Sequence, residues 1–412
     1  MCAGAGGLDT GAEPRADLPS LSWQPLQGIG SRRPRRGGDA GLLVAHRPAV
    51  WPLVFAVDES TWARCDAETS PERGFYYSAS THSAGQPIVA GWSYQWITQL
   101  DWACDSWTAP MDATRIPPGA DGVQVTATQI RDLTGRLGQT EQVPVFVFHA
   151  GYDPIALTYE LAEVRADVVV RIRDDRVFYT DPAQPTPGTR GRPRRHGNRR
   201  GCAEPDTWPA PDHEQTTTDD RYGTVHVAAW HDLHPQLRCR GHWTEFDQPP
   251  IVSGTVVRVD VQHLPKPTSR TKKTLWLWVA GPAPDLDICW RAYLRRFDIE
   301  HTFRFVKNTL GWTTPSVRTP EQADRWTWHI VAAYTQLRLP VASSKTNDCP
   351  ENAAPNPDDS PPPASEEDFD APLPHWARQP VQQNPKPPDP DAPGAAAAGL
   401  APAIWPSRRP PN

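Results

Sequence analysis

Tyr293, Arg296, Glu300 and Lys307 are spaced Y-x2-R-x3-E-x6-K, and together they carry the side chains best suited to joint chemistry. At about 100° per residue on one helix, all four fall within an arc of roughly 60°. A glutamate there supplies a carboxylate for a hard divalent cation. Arginine and lysine on the same face can neutralise phosphate oxygens, and tyrosine can hydrogen-bond or stack. The set suits phosphodiester cleavage, in which carboxylates hold two Mg²⁺ ions about 4 Å apart, one at the nucleophile and one at the leaving oxygen. A solvated, salt-bridged helix face is the plainer reading of two cations and a carboxylate. Against it stand the tyrosine inside the arc and the neighbouring apolar stripe of Ala292, Ile299, Phe303, Val306 and Leu310, which predicts that the helix is seated on a sheet.

Other residues able to join such a site lie upstream. The apolar run Leu53 to Val57 ends at Asp58, which is either a site carboxylate at a strand terminus or a turn-capping residue. A second apolar run, Val143 to Phe148, ends in His149-Ala150-Gly151-Tyr152-Asp153. Asp153 followed by Pro154 has the chemistry of a helix start, an N-cap carboxylate ahead of proline at the first helical position, although its carboxylate could also ligate a metal. Arg190 to Arg200 is the densest basic cluster and includes Arg192, Arg194 and Arg195 among glycines and prolines. It reads as a loop that touches phosphates or as an ordinary solvated loop. His231, His234, Cys239 and His242 are close enough in sequence for a metal site, but their strand-like surroundings argue against one.

The elements that must position these residues follow from periodicity. Leu53–Val57, Gly74–Tyr77 and Ile88–Trp92 read as three strands of a meander. Thr126 reads as the cap of a helix carrying Ile130, Leu133 and Leu137, followed by a buried parallel strand at Val143–Phe148. A helix from Pro154 and a strand at Val168–Ile172 come next. Residues 181–273 read as a β-rich insertion with strands over Thr224–Trp230, Gln236–Trp243 and Ile251–Val261. After the strand Leu275–Ala280, one long helix from near Asp287 carries the motif. The expected fold class is α/β: a ribonuclease H-like mixed sheet flanked by helices, with the insertion ahead of the glutamate-bearing helix.

Composition divides the 412 residues into a catalytic unit over 49–340 and two tails. Residues 1–48 are Gly/Arg/Pro-rich and read as low-complexity and disordered. Val341 to Asn412 holds 18 of the 48 prolines and most of the net charge of −6, and reads as a disordered acidic tail. Seven cysteines without a C-x2-C pair or regular spacing argue against a disulfide framework and a zinc ribbon, and fit a reducing compartment. No apolar run approaches the length of a membrane helix, so no membrane partner is expected.

Y-x2-R-x3-E-x6-K resembles the signature of a large group of bacterial insertion-sequence transposases that work by cut-and-paste. The resemblance covers roughly Val54 to Leu339. The segments His263-Leu264-Pro265-Lys266 and Leu275-Trp276-Leu277-Trp278 resemble actinobacterial members. It implies a DDE-type DNA transposase that cleaves phosphodiesters and transfers strands at transposon ends. Asp58 and Glu300 would be metal ligands, with Mg²⁺ or alternatively Mn²⁺ as cofactor. It also implies double-stranded DNA as partner, contacted by Tyr293, Arg296 and Lys307, a homodimer when DNA-bound, and a bacterial cytoplasmic, nucleoid-associated setting. The family's second aspartate belongs to a D-A-G-Y-D motif, and this chain has His149 in that place. Histidine suits Mg²⁺ poorly. The chain also has a Gly/Arg/Pro-rich start where the family has a helical DNA-binding region, and an acidic tail where the family has a basic segment. A degenerate copy is therefore implied, with a catalytically inactive DNA-binding remnant as the alternative to an active transposase. A generic ribonuclease H-like nuclease would not need the helix spacing.

Overall fold

The computed structural model describes residues 36–77, 88–103, 105–184, 194–264, 272–282 and 284–344. Its centre is a ten-stranded mixed sheet. In chain order the elements are α1 (Arg36–Ala45), β1 (Val54–Ala63), β2 (Gly74–Tyr77), β3 (Ile88–Gln99), β4 (Ala109–Ile116), α2 (Gly122–Leu137), β5 (Val145–Phe148), α3 (Pro154–Glu160), β6 (Asp167–Ile172), β7 (Val177–Tyr179), β8 (Arg199–Gly201), β9 (His213–Asp219), β10 (Gly223–Leu233), β11 (Gly254–Val261), β12 (Thr274–Ala280), α4 (Leu286–Arg295), α5 (Asp298–Asn308) and α6 (Pro320–Ser344). The strand order is β2-β3-β1-β5-β6-β12-β11-β10-β9, with β4 also paired to β3, while β7 and β8 form a small separate hairpin. β1, β5 and β6 run parallel, and the other neighbours are antiparallel. Both faces of β1, β5 and β6 are covered by helices, which is why their sequences are nearly continuous apolar runs.

Several expectations are corrected. Residues 36–45 lie within the stretch read as low-complexity, yet they form α1, and Ala40 and Leu43 are buried. At the other end α6 runs through residue 341 to Ser344; residues 1–35 and 345–412 lie outside the described residues. α2 starts four residues before the expected cap, with Asp121 accepting from the Val123 N–H, and Thr126 is instead an interior residue whose hydroxyl donates to the Gly122 carbonyl. Strand β4 was missed because Pro110 and Asp112 interrupt its pattern, although Ala109, Met111 and Ala113 are all buried. Gln236–Trp243 is irregular and ends in a 3₁₀ turn, while the polar strand β9 was not expected. Within residues 181–273, β9, β10 and β11 join the central sheet through β12, which pairs with β6.

The motif-bearing helix is two helices. α4 begins at Leu286, capped by Asp285, and ends at Arg295; α5 resumes at Asp298. The apolar stripe still does what its period predicts, because Ala292, Ile299, Phe303 and Val306 are buried in one core with β1, β3 and α6, and Leu310 packs against it.

Candidate functional site

The parallel pairing of β1 with β5 sets the geometry. Val57 is in register with Phe148, the last pair of the two strands. β5 ends there, whereas β1 runs on to Ala63, so Asp58 lies inside its strand and not at the expected strand end, beside His149 just past β5. His149 Nε2 lies 3.2 Å from Asp58 Oδ1. The backbone N–H of Gly151 donates to His149 Nδ1 at 2.8 Å, so the ring's proton sits on Nε2 and points at Asp58. The imidazole stands edge-on to Tyr152, with ring centres 5.0 Å apart. Glycine is required at 151 because a Cβ there would come within 2.2 Å of His149 Cε1.

Asp58 has two further donors. The Glu59 N–H reaches Oδ1 at 2.8 Å, and Arg296 Nη1 reaches Oδ2 at 2.9 Å. Both Asp58 and Arg296 are buried. Burial acts to raise the Asp58 pKa, but His149, Arg296 and the Glu59 N–H outweigh it and hold the carboxyl below its ordinary value. At the junction of α4 and α5 the backbone stays in the right-handed helical region but switches to i→i+3 bonds, from the Arg296 N–H to the Tyr293 carbonyl and from the Ile299 N–H to the Arg296 carbonyl. From this junction Arg296 reaches Asp58 on β1. Arg295, its neighbour, is held on the other side by the Asp101 and Asp105 carbonyls and by Asp298 at 2.8 Å.

Glu59 is a member of this site that motif reading passed over. Burial pushes its carboxyl up to about 7, with Asp58 adding to the rise and His149 and the Ser93 hydroxyl opposing it. The Ser93 hydroxyl donates to Glu59 Oε2 at 3.4 Å. The Tyr152 hydroxyl is buried nearby without a hydrogen-bond partner among the described residues, and its pKa is pushed well above the ordinary value by burial and then by Glu59 and Asp58. An acidic residue directly after the aspartate that closes the apolar run Leu53 to Val57 is the signal the sequence offers.

The other predicted residues are placed as follows. Tyr293 is buried, with the Arg296 guanidinium 5.9 Å from its ring centre. Glu300 sits in the first turn of α5, half-buried. Lys307 lies in the last turn with its ammonium 5.8 Å from the Trp312 ring centre; burial lowers its pKa and Glu300 opposes the shift. Asp153 Oδ1 accepts from the Ile155 and Ala156 N–H groups at 3.0 and 3.1 Å, so it caps α3. Arg194 is exposed, Arg195 is half-buried and donates to the Pro249 carbonyl, and Arg192 lies outside the described residues. His231, His234, Cys239 and His242 do not converge. They pair respectively with Thr255, His196, the Asp247 carbonyl, and Asp121 with Glu160.

The fit to a divalent cation can be tested on the donor set. Each Asp58 oxygen already accepts from protein donors, and His149 presents its protonated nitrogen to that carboxylate and its lone pair to Gly151. Among the described residues no group of three or more His, Cys, Asp or Glu side chains is arranged to hold a metal ion. This arrangement does not fit a two-metal site. No helix among the described residues is long and apolar enough to cross a membrane.

Residues 40–236 match the family model described as DDE superfamily endonuclease. The match includes Asp58 and His149 and ends ahead of α4 and α5. It supports a DDE-type, transposase-like family and a nuclease or transposase type of activity on DNA; enzymes of that superfamily typically use divalent metals. No curated protein matches the chain significantly.

Proposed function

We propose that this chain is a DNA-binding protein built on a bacterial insertion-sequence transposase fold, in which strand cleavage has been silenced at Asp58. The observation that carries this reading is the engagement of both Asp58 oxygens, Oδ1 by His149 and the Glu59 N–H and Oδ2 by Arg296. A carboxylate that must bridge metal ions has to present free lone pairs. Here an imidazole donates where the family places a second carboxylate, and a guanidinium supplies neutralising charge. The strand order β3-β1-β5-β6, with β1, β5 and β6 parallel and β3 antiparallel, supports the ribonuclease H-like reading of the core. The Y-x2-R-x3-E-x6-K spacing supports the cut-and-paste group, the segments His263–Lys266 and Leu275–Trp278 support an actinobacterial origin, and the cysteine usage supports a cytoplasmic setting, nucleoid-associated through DNA.

In this reading double-stranded DNA is held through phosphates by exposed basic residues such as Arg194, and Arg296 stays inside as a counter-ion. Glu300 on the adjacent helix favours a second reading, an active transposase using Mg²⁺ or Mn²⁺ with Asp58 and Glu300 as ligands. A strand-cleavage assay decides between them, using duplex DNA carrying the ends of the chain's own insertion element, with Mg²⁺ or Mn²⁺ and with the unmodified chain and His149→Asp side by side. The first reading expects DNA retention that weakens steeply with salt, no cleavage by the unmodified chain, and a gain on restoring Asp. Mg²⁺-dependent cleavage by the unmodified chain would establish the second reading. Absence of DNA binding at low salt would remove both.

A further inference from the structure

The two ends of the sheet are finished differently. At one end β2 has only four residues, and β4 is flanked by α1, α2 and α6. Ala113 on β4 donates its backbone N–H to the Asp112 carboxylate at 2.9 Å, and Asp112 is held in turn by Gln129 at 3.0 Å. A short strand, a helical cover and a side chain that takes a backbone donor all guard a sheet against further pairing. At the other end β9 runs for seven residues, His213-Glu214-Gln215-Thr216-Thr217-Thr218-Asp219, paired on one side to β10. It contains no proline or lysine, its register with β10 is unbroken, and its residues are half-buried or exposed. Its carboxylates are confined to Glu214 and Asp219 near its two ends, the latter also holding the Arg221 and Tyr222 N–H groups and Arg291. An edge of this length without those devices is a template for another strand.

We propose that the edge of β9 left unpaired among the described residues docks a second copy of this chain, the two β9 strands pairing antiparallel about a two-fold axis through Thr216. The sequence is self-complementary in that register. Thr216 lies opposite its own symmetry mate, Gln215 opposite Thr217, Glu214 opposite Thr218, and His213 opposite Asp219. Threonine pairs and an acid facing a histidine are favourable cross-strand neighbours, and no like charges are opposed. Moving the centre to Thr217 sets Glu214 against Asp220, and moving it to Gln215 leaves Asp219 beyond the paired run. Such an isologous contact closes on itself, so it forms a dimer and does not propagate. The pairing does not depend on DNA and is tested without it.

Light scattering on the full chain across a concentration series should show a monomer–dimer equilibrium, and Thr216→Pro should weaken dimerisation at least tenfold. Thr216→Cys under mild oxidation should give a covalent dimer faster than Glu214→Cys or the unmodified chain, because only the residue on the axis meets its own copy. That measurement also covers the case in which the proline variant fails to fold. The proposal is overturned if the unmodified chain is monomeric throughout, if Thr216→Pro folds and dimerises undiminished, or if Thr216→Cys cross-links no faster than Glu214→Cys.

Discussion

Where the pairing of β1 with β5 ends, the sheet buries ions, whereas along β10 to β12 it buries indole rings. In the first region Asp58 and Arg296 are almost wholly removed from solvent, with Glu59 beside them. In the second, Trp208 stacks on Trp276 at 5.1 Å and Phe178 on Trp278 at 5.6 Å, and the charged groups, Arg258 and Asp260, stay about one-third exposed. The indole N–H groups of Trp208, Trp230 and Trp278 donate to the Gly201 carbonyl, the Pro209 carbonyl and the Thr158 hydroxyl. The difference is one of tolerance. An aromatic cluster loses contacts gradually as it is eroded, but a buried ion whose partner is removed keeps its full desolvation penalty.

The largest effect should therefore come from Arg296→Ala, which leaves the Asp58 carboxylate buried without its cation and should cost about 3–5 kcal/mol in denaturant unfolding. A loss below about 1 kcal/mol would mean that solvent reaches Asp58 and that the contrast between the two regions is overstated. Because the Asp58 pKa is depressed, its contribution is present above its ordinary value of 3.8 and is lost as pH falls through the lower folded value. The variant should flatten that acid limb.

Glu59 has the opposite sign. Its folded pKa is raised from 4.5 to about 7, so its stabilisation is complete below pH 4.5 and is lost as pH rises through 7. Glu59→Gln should remove that slope, worth roughly 2 kcal/mol once partial solvent access is allowed for. Thermal melts from pH 4.5 to 8 that are parallel for the two proteins would place the Glu59 carboxyl in water.

Asp153 separates a cap from a ligand. Asp153→Ala should cost about 1 kcal/mol, as loss of an N-cap does, and Asp153→Ser should recover most of it. If instead Mn²⁺ raised the melting temperature of the unmodified chain and Asp153→Ser abolished that rise, Asp153 would be a metal ligand and the capping account would fall.

The smallest effect sharpens the comparison from the other side. Arg258 and Asp260, neighbours on one face of β11, form an ion pair at 2.8 Å with both side chains about one-third exposed. A double-mutant cycle there should return a coupling of about 0.5 kcal/mol or less. A coupling of several kcal/mol would show that ion pairs matter equally in both regions.

The sequence by itself determined most of the local order around the site. The apolar runs before Asp58 and His149 specified strands, Asp153-Pro154 specified a helix start, and the 3.6-residue stripe from Ala292 to Val306 specified the face that meets the core. These are properties of neighbours in the chain, so they are legible without the fold. Less legible were β4, whose proline and aspartate obscure a strand buried by its surroundings, and β9, a polar strand formed because β10 offers it a partner. Only the tertiary structure decided what the four-residue motif does. Arg296 is buried against Asp58, whereas Glu300 and Lys307, further along the same spacing, are half-buried. The parallel register of β1 with β5 likewise set His149 against that carboxylate across ninety residues of chain, a juxtaposition that no spacing rule encodes.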